Sequence, residues 1–221
     1  MSDEKPTTEI GADLLGIGKV GAQALKTAEP FLMKLFGPYL EERGQMLADG
    51  VREKRRQNLL SAAVLAAEQV GDREVQAVPG RILFPLLDGA SNEELPELQK
   101  MWATLMATAS VEPDAIMPAF PKILSELSAL EARCLAFVQE DMEKQHATMA
   151  PKHYTPISVE DLSMRFGVDP NYVVLGFANF IRLGLVTADI QPPTTDLHIR
   201  QIRMMMTPFG TAFIRACTRA L

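Results

Sequence analysis

Residues 77–109 constrain the fold more than any other stretch of the chain. Ile82, Leu83, Phe84, Leu86 and Leu87 form a dense apolar run punctuated by Pro79, Gly80 and Pro85. The run is too short and too broken to span a membrane. Pro85 removes a backbone donor, which argues against a central strand. The pattern predicts a short buried helix beginning near Pro79 and bent or restarted at Pro85. Ser91 and Glu94 have capping-box spacing and predict a new helix. In it Leu98, Met101, Trp102, Leu105, Met106 and Ala109 recur at three- and four-residue steps, a core-facing stripe. Met101 and Met106, beside the chain's one tryptophan, read as gap-filling core rather than a cofactor box.

The same stretch carries a family resemblance. Val78-Pro79-Gly80-Arg81-Ile82-Leu83-Phe84-Pro85-Leu86-Leu87-Asp88-Gly89-Ala90-Ser91, followed by Glu97-Leu98-Gln99-Lys100-Met101-Trp102-Ala103-Thr104-Leu105, resembles the abortive-infection alpha family, long catalogued as a bacterial domain of unknown function. Phe36-Gly37-Pro38-Tyr39-Leu40-Glu41-Glu42 upstream fits as well, as do Pro118-Ala119-Phe120 and Leu127-Ser128-Ala129-Leu130-Glu131-Ala132 downstream. The resemblance runs from about Leu32 into the C-terminal region. It implies a role in bacterial phage defence, in which infected cells are sacrificed, and it carries over no catalytic residues.

The chain has 221 residues, of which 47% are hydrophobic. That is enough for a real core, with disorder expected only at the ends. A net charge of −6 argues against a global attraction to nucleic acid or anionic lipid. Cys134 and Cys217 both fall on apolar helical stripes, so two buried free thiols are expected, as in a reducing cytosol. The polar start Met1-Ser2-Asp3-Glu4-Lys5-Pro6 is no signal peptide, and no run of about 18 apolar residues occurs. A cytoplasmic protein is the expectation.

Three parts are expected: a flexible or weakly helical segment over 1–30, a helical domain over 31–127, and a winged-helix-like domain over 128–221. Gly16-Ile17-Gly18-Lys19-Val20-Gly21 matches a dinucleotide-binding pattern, but no strand precedes it and no βαβ unit surrounds it. Small residues that let two helices approach are the better reading. A second option is an amphipathic membrane contact through residues 10–28, using Leu14, Leu15, Ile17, Val20 and Leu25. From Pro38 to Val70 no proline occurs and Gly71 closes the run, which predicts a helix spanning roughly 50 Å with soft points at Gly44 and Gly50. A helix of that length with few aromatics predicts a homodimer, although no a/d repeat is sustained. Arg52, Lys54, Arg55 and Arg56 form a basic patch in its middle. A solvated helix face is the plain reading, and a surface for an anionic partner is the functional one.

After a turn at Glu112-Pro113-Asp114, a short helix begins around Pro118 with Phe120, Ile123, Leu124 and Leu127 inward. Ser128 and Glu131 predict a second capping box and a helix to about Lys144, followed by a polar linker over His146–Thr155. Ser158 with Asp161, and Asp169-Pro170, open two further helices that stop at Gly167 and Gly184. Leu185–Ile190 and Leu197–Met206 read as strands, the second with a bulge near Gln201. Thr207-Pro208 caps a last helix. Helix, helix, helix, hairpin resembles winged-helix domains in general, and many of those bind only proteins.

The fold class read from sequence is therefore mainly α: an N-terminal helical bundle with a long helix, then a winged-helix-like α+β module with a small β-hairpin. A DNA-reading version would use Asn171, Tyr172 and Arg182 on the helix before the hairpin, with Arg200 and Arg203 on the wing. From Ser128 onward, nine Lys and Arg balance nine Asp and Glu, whereas DNA-binding modules usually carry a basic footprint. No Ser-His-Asp, H-E-x-x-H, P-loop or Cys-His pattern is present. His146, His153 and His198 do not make a metal-ligand spacing. No cofactor, metal or catalytic residue is expected. The leading expectation is a non-enzymatic interaction protein with an unknown protein partner, and the alternative is a winged-helix DNA-binding transcriptional regulator.

Overall fold

The computed structural model describes residue 34 and residues 53–148, 157–189 and 203–219. The described residues are mainly helical, with one small antiparallel sheet among them. The chain divides into two compact units. The first runs up to Glu126 and takes in Ala216–Leu221, and the second is Leu127–Arg215. The N-terminal segment, its glycine pattern, the candidate membrane contact over residues 10–28, the helix start at Pro38, Gly44 and Gly50 all lie outside the described residues.

In the first unit, α1 (Glu53–Val70) ends at Gly71, whose φ of 57° suits a residue without a Cβ. Helix α2 is Gly80–Asn92 and α3 is Pro96–Val111. A 3₁₀ turn over Pro113–Ala115 leads to the short α4, Phe120–Ser125. Helix α3 is the axis of this unit. Every residue from Met101 to Ser110 is buried, so the expected stripe is in fact a helix covered on all sides. The extra faces carry Ala103, Thr104, Ala107, Thr108 and Ser110, small enough for close packing. The facing helix α1 contributes Ala62, Ala63 and Ala66, all fully buried. Each buried hydroxyl finds a backbone acceptor: Thr104 donates to the Lys100 carbonyl, Ser110 to Ala107, and Thr108 to both Thr104 and Ala216.

Two expectations need correction here. Of the two readings at Pro85, a bend or a restart, the restart is excluded, since helix α2 is continuous through it. The proline ring leaves the Arg81 carbonyl without its usual donor, but Arg81 and Pro85 are both exposed, where water can serve it. Ser91 and Glu94 form no capping box. Ser91 is still inside α2 and buried, and α3 begins with Pro96 at its first position after Leu95. Glu93 does the local work instead, its Oε1 accepting from the Glu94 and Leu95 amides at 3.0 and 2.9 Å.

The second unit is built from shorter elements with explicit end signals. Helix α5 (Ala129–Thr148) runs past Lys144, so His146 is helical rather than in a linker. The expected box at its start is present: the Glu131 amide donates to Ser128 Oγ, and the Ser128 amide donates to Glu131 Oε2 at 2.7 Å. A two-residue strand β1, Ile157–Ser158, which the sequence reading lacked, leads into α6, Val159–Phe166. A Ser158–Asp161 capping box opens α6 and Gly167, at φ 64°, closes it. Helix α7 (Pro170–Arg182) starts at Asp169, whose carboxylate accepts from the Asn171 amide at 2.8 Å. Strands β2 (Val186–Asp189) and β3 (Arg203–Met206) pair antiparallel, with Val186 opposite Met206. Strand β1 joins β3 on its other edge, giving the order β1-β3-β2. Both strands are shorter as described than expected, and the expected bulge near Gln201 lies outside the described residues.

Helix α8 is Pro208–Thr218. Thr207 Oγ1 caps it by accepting from the Gly210 amide at 2.8 Å. Gly210 is required there, because a Cβ would run into the Leu185 carbonyl. Between α5 and α6, Phe137 and Phe166 pack edge to face at 6.2 Å. Arg165 lies over the Phe137 ring and Arg133 over Phe166, at 4.8 and 5.5 Å.

Candidate functional site

Helix α7 presents the most distinctive surface of the second unit. Val173, Phe177 and Phe180 turn inward and are buried. Gly176 is also buried and lets the Glu131 side chain come close, since a Cβ there would sit 3.2 Å from Glu131 Cγ. On the outward face, Tyr172 is 65% exposed and Leu175 67% exposed. Asn171 and Ala178 are exposed beside them, and Ile181 is 46% exposed. Met164, on α6, is 70% exposed. Tyr172 and Leu175 lie one helical turn apart on the same face, both in water.

Of the polar candidates on α7, Asn171 and Tyr172 are exposed, and Arg182 is engaged with the protein through Asn179. Asn179 Nδ2 donates to Glu131 Oε1 at 2.8 Å. Arg182 Nη2 and Nε donate to Asn179 Oδ1 at 2.7 and 3.1 Å. Glu131 thus has two roles: one oxygen caps α5 and the other ties α5 to α7. The sequence pointed to the cap alone, because the second partner lies 48 residues away. Of Arg203 only the backbone, in β3, is described, and Arg200, His153 and His198 lie outside the described residues.

In the first unit the basic patch is met by acids of the same unit. Lys54 Nζ pairs with Glu94 at 2.6 Å, and Arg55 pairs with Asp88 while its Nε donates to Ser91 Oγ at 3.2 Å. Asn58 adds a bond to the Ser91 carbonyl. These groups tie α1 to the end of α2 and the loop after it, so Lys54 and Arg55 are stitched into the fold. Arg56 is half-buried, and Arg52 lies outside the described residues.

Both cysteines are buried and unpaired. Burial pushes the Cys134 thiol up to about 11, against a smaller opposing pull from Arg133. Burial alone pushes Cys217 further still. Neither is a thiolate at neutral pH, the form that nucleophilic attack or metal binding requires. Among the described residues, no His, Cys, Asp or Glu cluster could hold a metal ion. No helix among them is long and apolar enough to cross a membrane.

No curated protein and no solved structure matches the chain. The abortive infection alpha family matches residues 50–217, which takes in α1 through most of α8. With well over half of its length matched, the chain belongs to the abortive infection alpha family.

Proposed function

We propose that this chain is a non-enzymatic, cytoplasmic interaction protein of the bacterial abortive-infection response, and that it docks a protein partner through the outward face of α7. Membership of the family supports the setting. The exposed pair Tyr172 and Leu175 carries the reading of the surface. Aromatic anchors on a rigid helix are the usual energetic centre of a protein interface. The unit is winged-helix-like in this reading: helix, strand, helix, helix, then a hairpin, with β1 closing the sheet. Its α7 occupies the place where a DNA reader would carry its base-contacting side chains.

A DNA-binding regulator is the second reading, and the position of α7 before the hairpin is what favours it. Against it, Arg182 is the one Lys or Arg on α7, and it is hydrogen-bonded to Asn179, which in turn holds the Glu131 carboxylate. Phosphate binding next to that carboxylate is opposed by like charge. Self-association, expected from the long helix, belongs to the same proposal, with the second copy as one protein partner; sedimentation of the full chain reads it directly.

The test is a phage challenge of cells carrying the wild-type gene, Tyr172→Ala with Leu175→Asp, or Arg182→Ala. Circular dichroism confirms the fold of each purified variant. Loss of protection in the Tyr172 and Leu175 variant, with Arg182→Ala retaining it, is expected. The reverse pattern, together with DNA binding that falls steeply with salt and is lost in Arg182→Ala, overturns the docking reading in favour of the regulator.

A further inference from the structure

The exposed face of α7 matches itself when turned end for end. Leu175 stands at its centre, with Tyr172 three residues before it and Ala178 three residues after, all exposed. At about 1.5 Å and 100° per residue, Tyr172 and Ala178 sit about 4.5 Å to either side of Leu175 and lean to opposite flanks of it. A twofold axis through Leu175 therefore carries Tyr172 of one copy onto Ala178 of another. The ring meets the smallest side chain of the face, and Leu175 meets its own counterpart.

The charges are matched in the same way. Asp169 is exposed at the N-terminal end of α7, where its Oδ1 accepts from the Asn171 amide. Arg182 is exposed at the C-terminal end, steadied by Asn179. No charged residue lies between them. Asp169 is six residues before Leu175 and Arg182 seven after it. The axis thus brings each Arg182 within one residue of the position opposite the second copy's Asp169. Antiparallel pairing also sets opposite ends of the two helix dipoles together. A parallel pair would oppose like charges at both ends and leave Ala178 facing Ala178 across a gap.

We infer that the partner of the α7 face is a second copy of this chain, docked antiparallel about a twofold axis at Leu175. The inference rests on the reading of α7 as the docking surface and names what covers it. Such an interface is isologous, one patch serving both copies. One helix from each copy is a small contact, of the weak and exchanging class. The uncharged middle supplies affinity, and the rim pairs of Asp169 with Arg182 fix orientation more than strength.

Sedimentation of the full chain over about 1–300 μM, the span in which so small an interface acts, reads the association. Leu175→Asp opposes two carboxylates at the axis and should weaken it at least about tenfold. Arg182→Ala touches only the rim and should weaken it less than about threefold. Orientation is read by cysteine pairs with diamide as oxidant, against wild type, whose Cys134 and Cys217 are buried. Tyr172→Cys mixed with Ala178→Cys should give a disulfide-linked dimer, Leu175→Cys should link to itself, and Tyr172→Cys alone should not. A chain that stays monomeric throughout, or a dimer indifferent to Leu175→Asp, overturns the inference. So does Tyr172→Cys alone linking as readily as the mixture, the mark of a parallel pair. Phage challenge separates this from the wider reading. If wild type is monomeric yet Tyr172→Ala with Leu175→Asp loses protection, α7 docks a different protein and only the second copy is ruled out. If that variant loses the dimer and keeps protection, the copies pair as inferred, and it is the role of α7 in defence that fails.

Discussion

Each unit contains a glycine at a point of closest approach, and the two glycines face different kinds of neighbour. In the first unit Gly89 lies under the ring of Trp102, a side chain. In the second Gly210 lies under the Leu185 carbonyl, a piece of backbone. The first unit is held by volume: α3 is buried all round, and the largest buried side chain sits where two helices converge. The second is held by backbone geometry at element ends: capping boxes at Ser128 and Ser158, left-handed glycines at 167 and 184, and Thr207 bonding back to Leu185. The unit specified by end signals has surface to spare, and it exposes Tyr172 and Leu175. Among the described residues, the unit specified by packing turns nearly all of its large apolar side chains inward, with Leu95 and Met117 left exposed.

The largest effect should come from emptying the volume. Trp102→Ala removes a side chain with almost no exposure from the centre of α3. Aromatic-to-alanine changes in cores cost about 3–5 kcal/mol, a large share of a domain's stability. Urea denaturation followed by circular dichroism should show an unfolding free energy lowered by that amount, or a chain unfolded without denaturant. A loss below about 1 kcal/mol would mean that the helices close over the vacated space, and that volume is not what holds the first unit.

Gly210→Ala tests the backbone side of the contrast. Alanine in a helix interior is favoured over glycine by about 1 kcal/mol. Here its Cβ would also lie 2.8 Å from the carbonyl carbon of Leu185, a group already fixed by the Thr207 amide at 3.0 Å. Backbone cannot rotate aside as a side chain can, so the overlap should outweigh the propensity gain and leave a net loss of about 1–3 kcal/mol. Hydrogen exchange should show lost protection at the amides of β2 and the start of α8. A variant as stable as wild type would remove the distinction between the two glycines.

The two units were unequally legible from sequence. Ser158, Asp169, Gly167 and Gly184 mark the second unit's boundaries by local chemistry that acts within one turn, and they place α6 and α7 almost to the residue. Trp102 and its stripe were legible for the same reason, since helical period is local. The all-round burial of α3 was not, because Ala103, Thr104 and Ser110 are neither apolar enough nor large enough to announce a core face. Ser91 and Glu94 had the spacing of a cap and were claimed instead by Arg55 and Lys54, more than thirty residues away. The contact of Gly89 with the Trp102 ring and the Glu131–Asn179 link were hidden for that reason too. Both depend on which helices come together, and the residues concerned carry no pattern of their own.

The smallest effect should lie on the exposed side of α5, and it distinguishes a surface ion pair from the end signals that hold the second unit. Lys144 Nζ meets Glu140 at 2.6 Å across one turn. The hydrogen bond and then the charge of Lys144 hold the Glu140 carboxyl below its usual value of 4.5. A carboxyl lowered in the folded state stabilises above its unfolded value, and that contribution is lost as pH falls through the folded one. The window therefore opens just below pH 4.5 and closes at lower pH, with nothing changed at neutrality. Both side chains are mostly in water, so salt should screen the pair and the effect on stability should be slight. Lys144→Ala should return the Glu140 titration, followed by carboxyl carbon shifts in NMR, to its ordinary range, with the unfolding midpoint at pH 7 nearly unmoved. A midpoint that fell at pH 7 as far as in Gly210→Ala would place an exposed ion pair among the second unit's main restraints, and the contrast drawn from its capped and glycine-closed ends would fail.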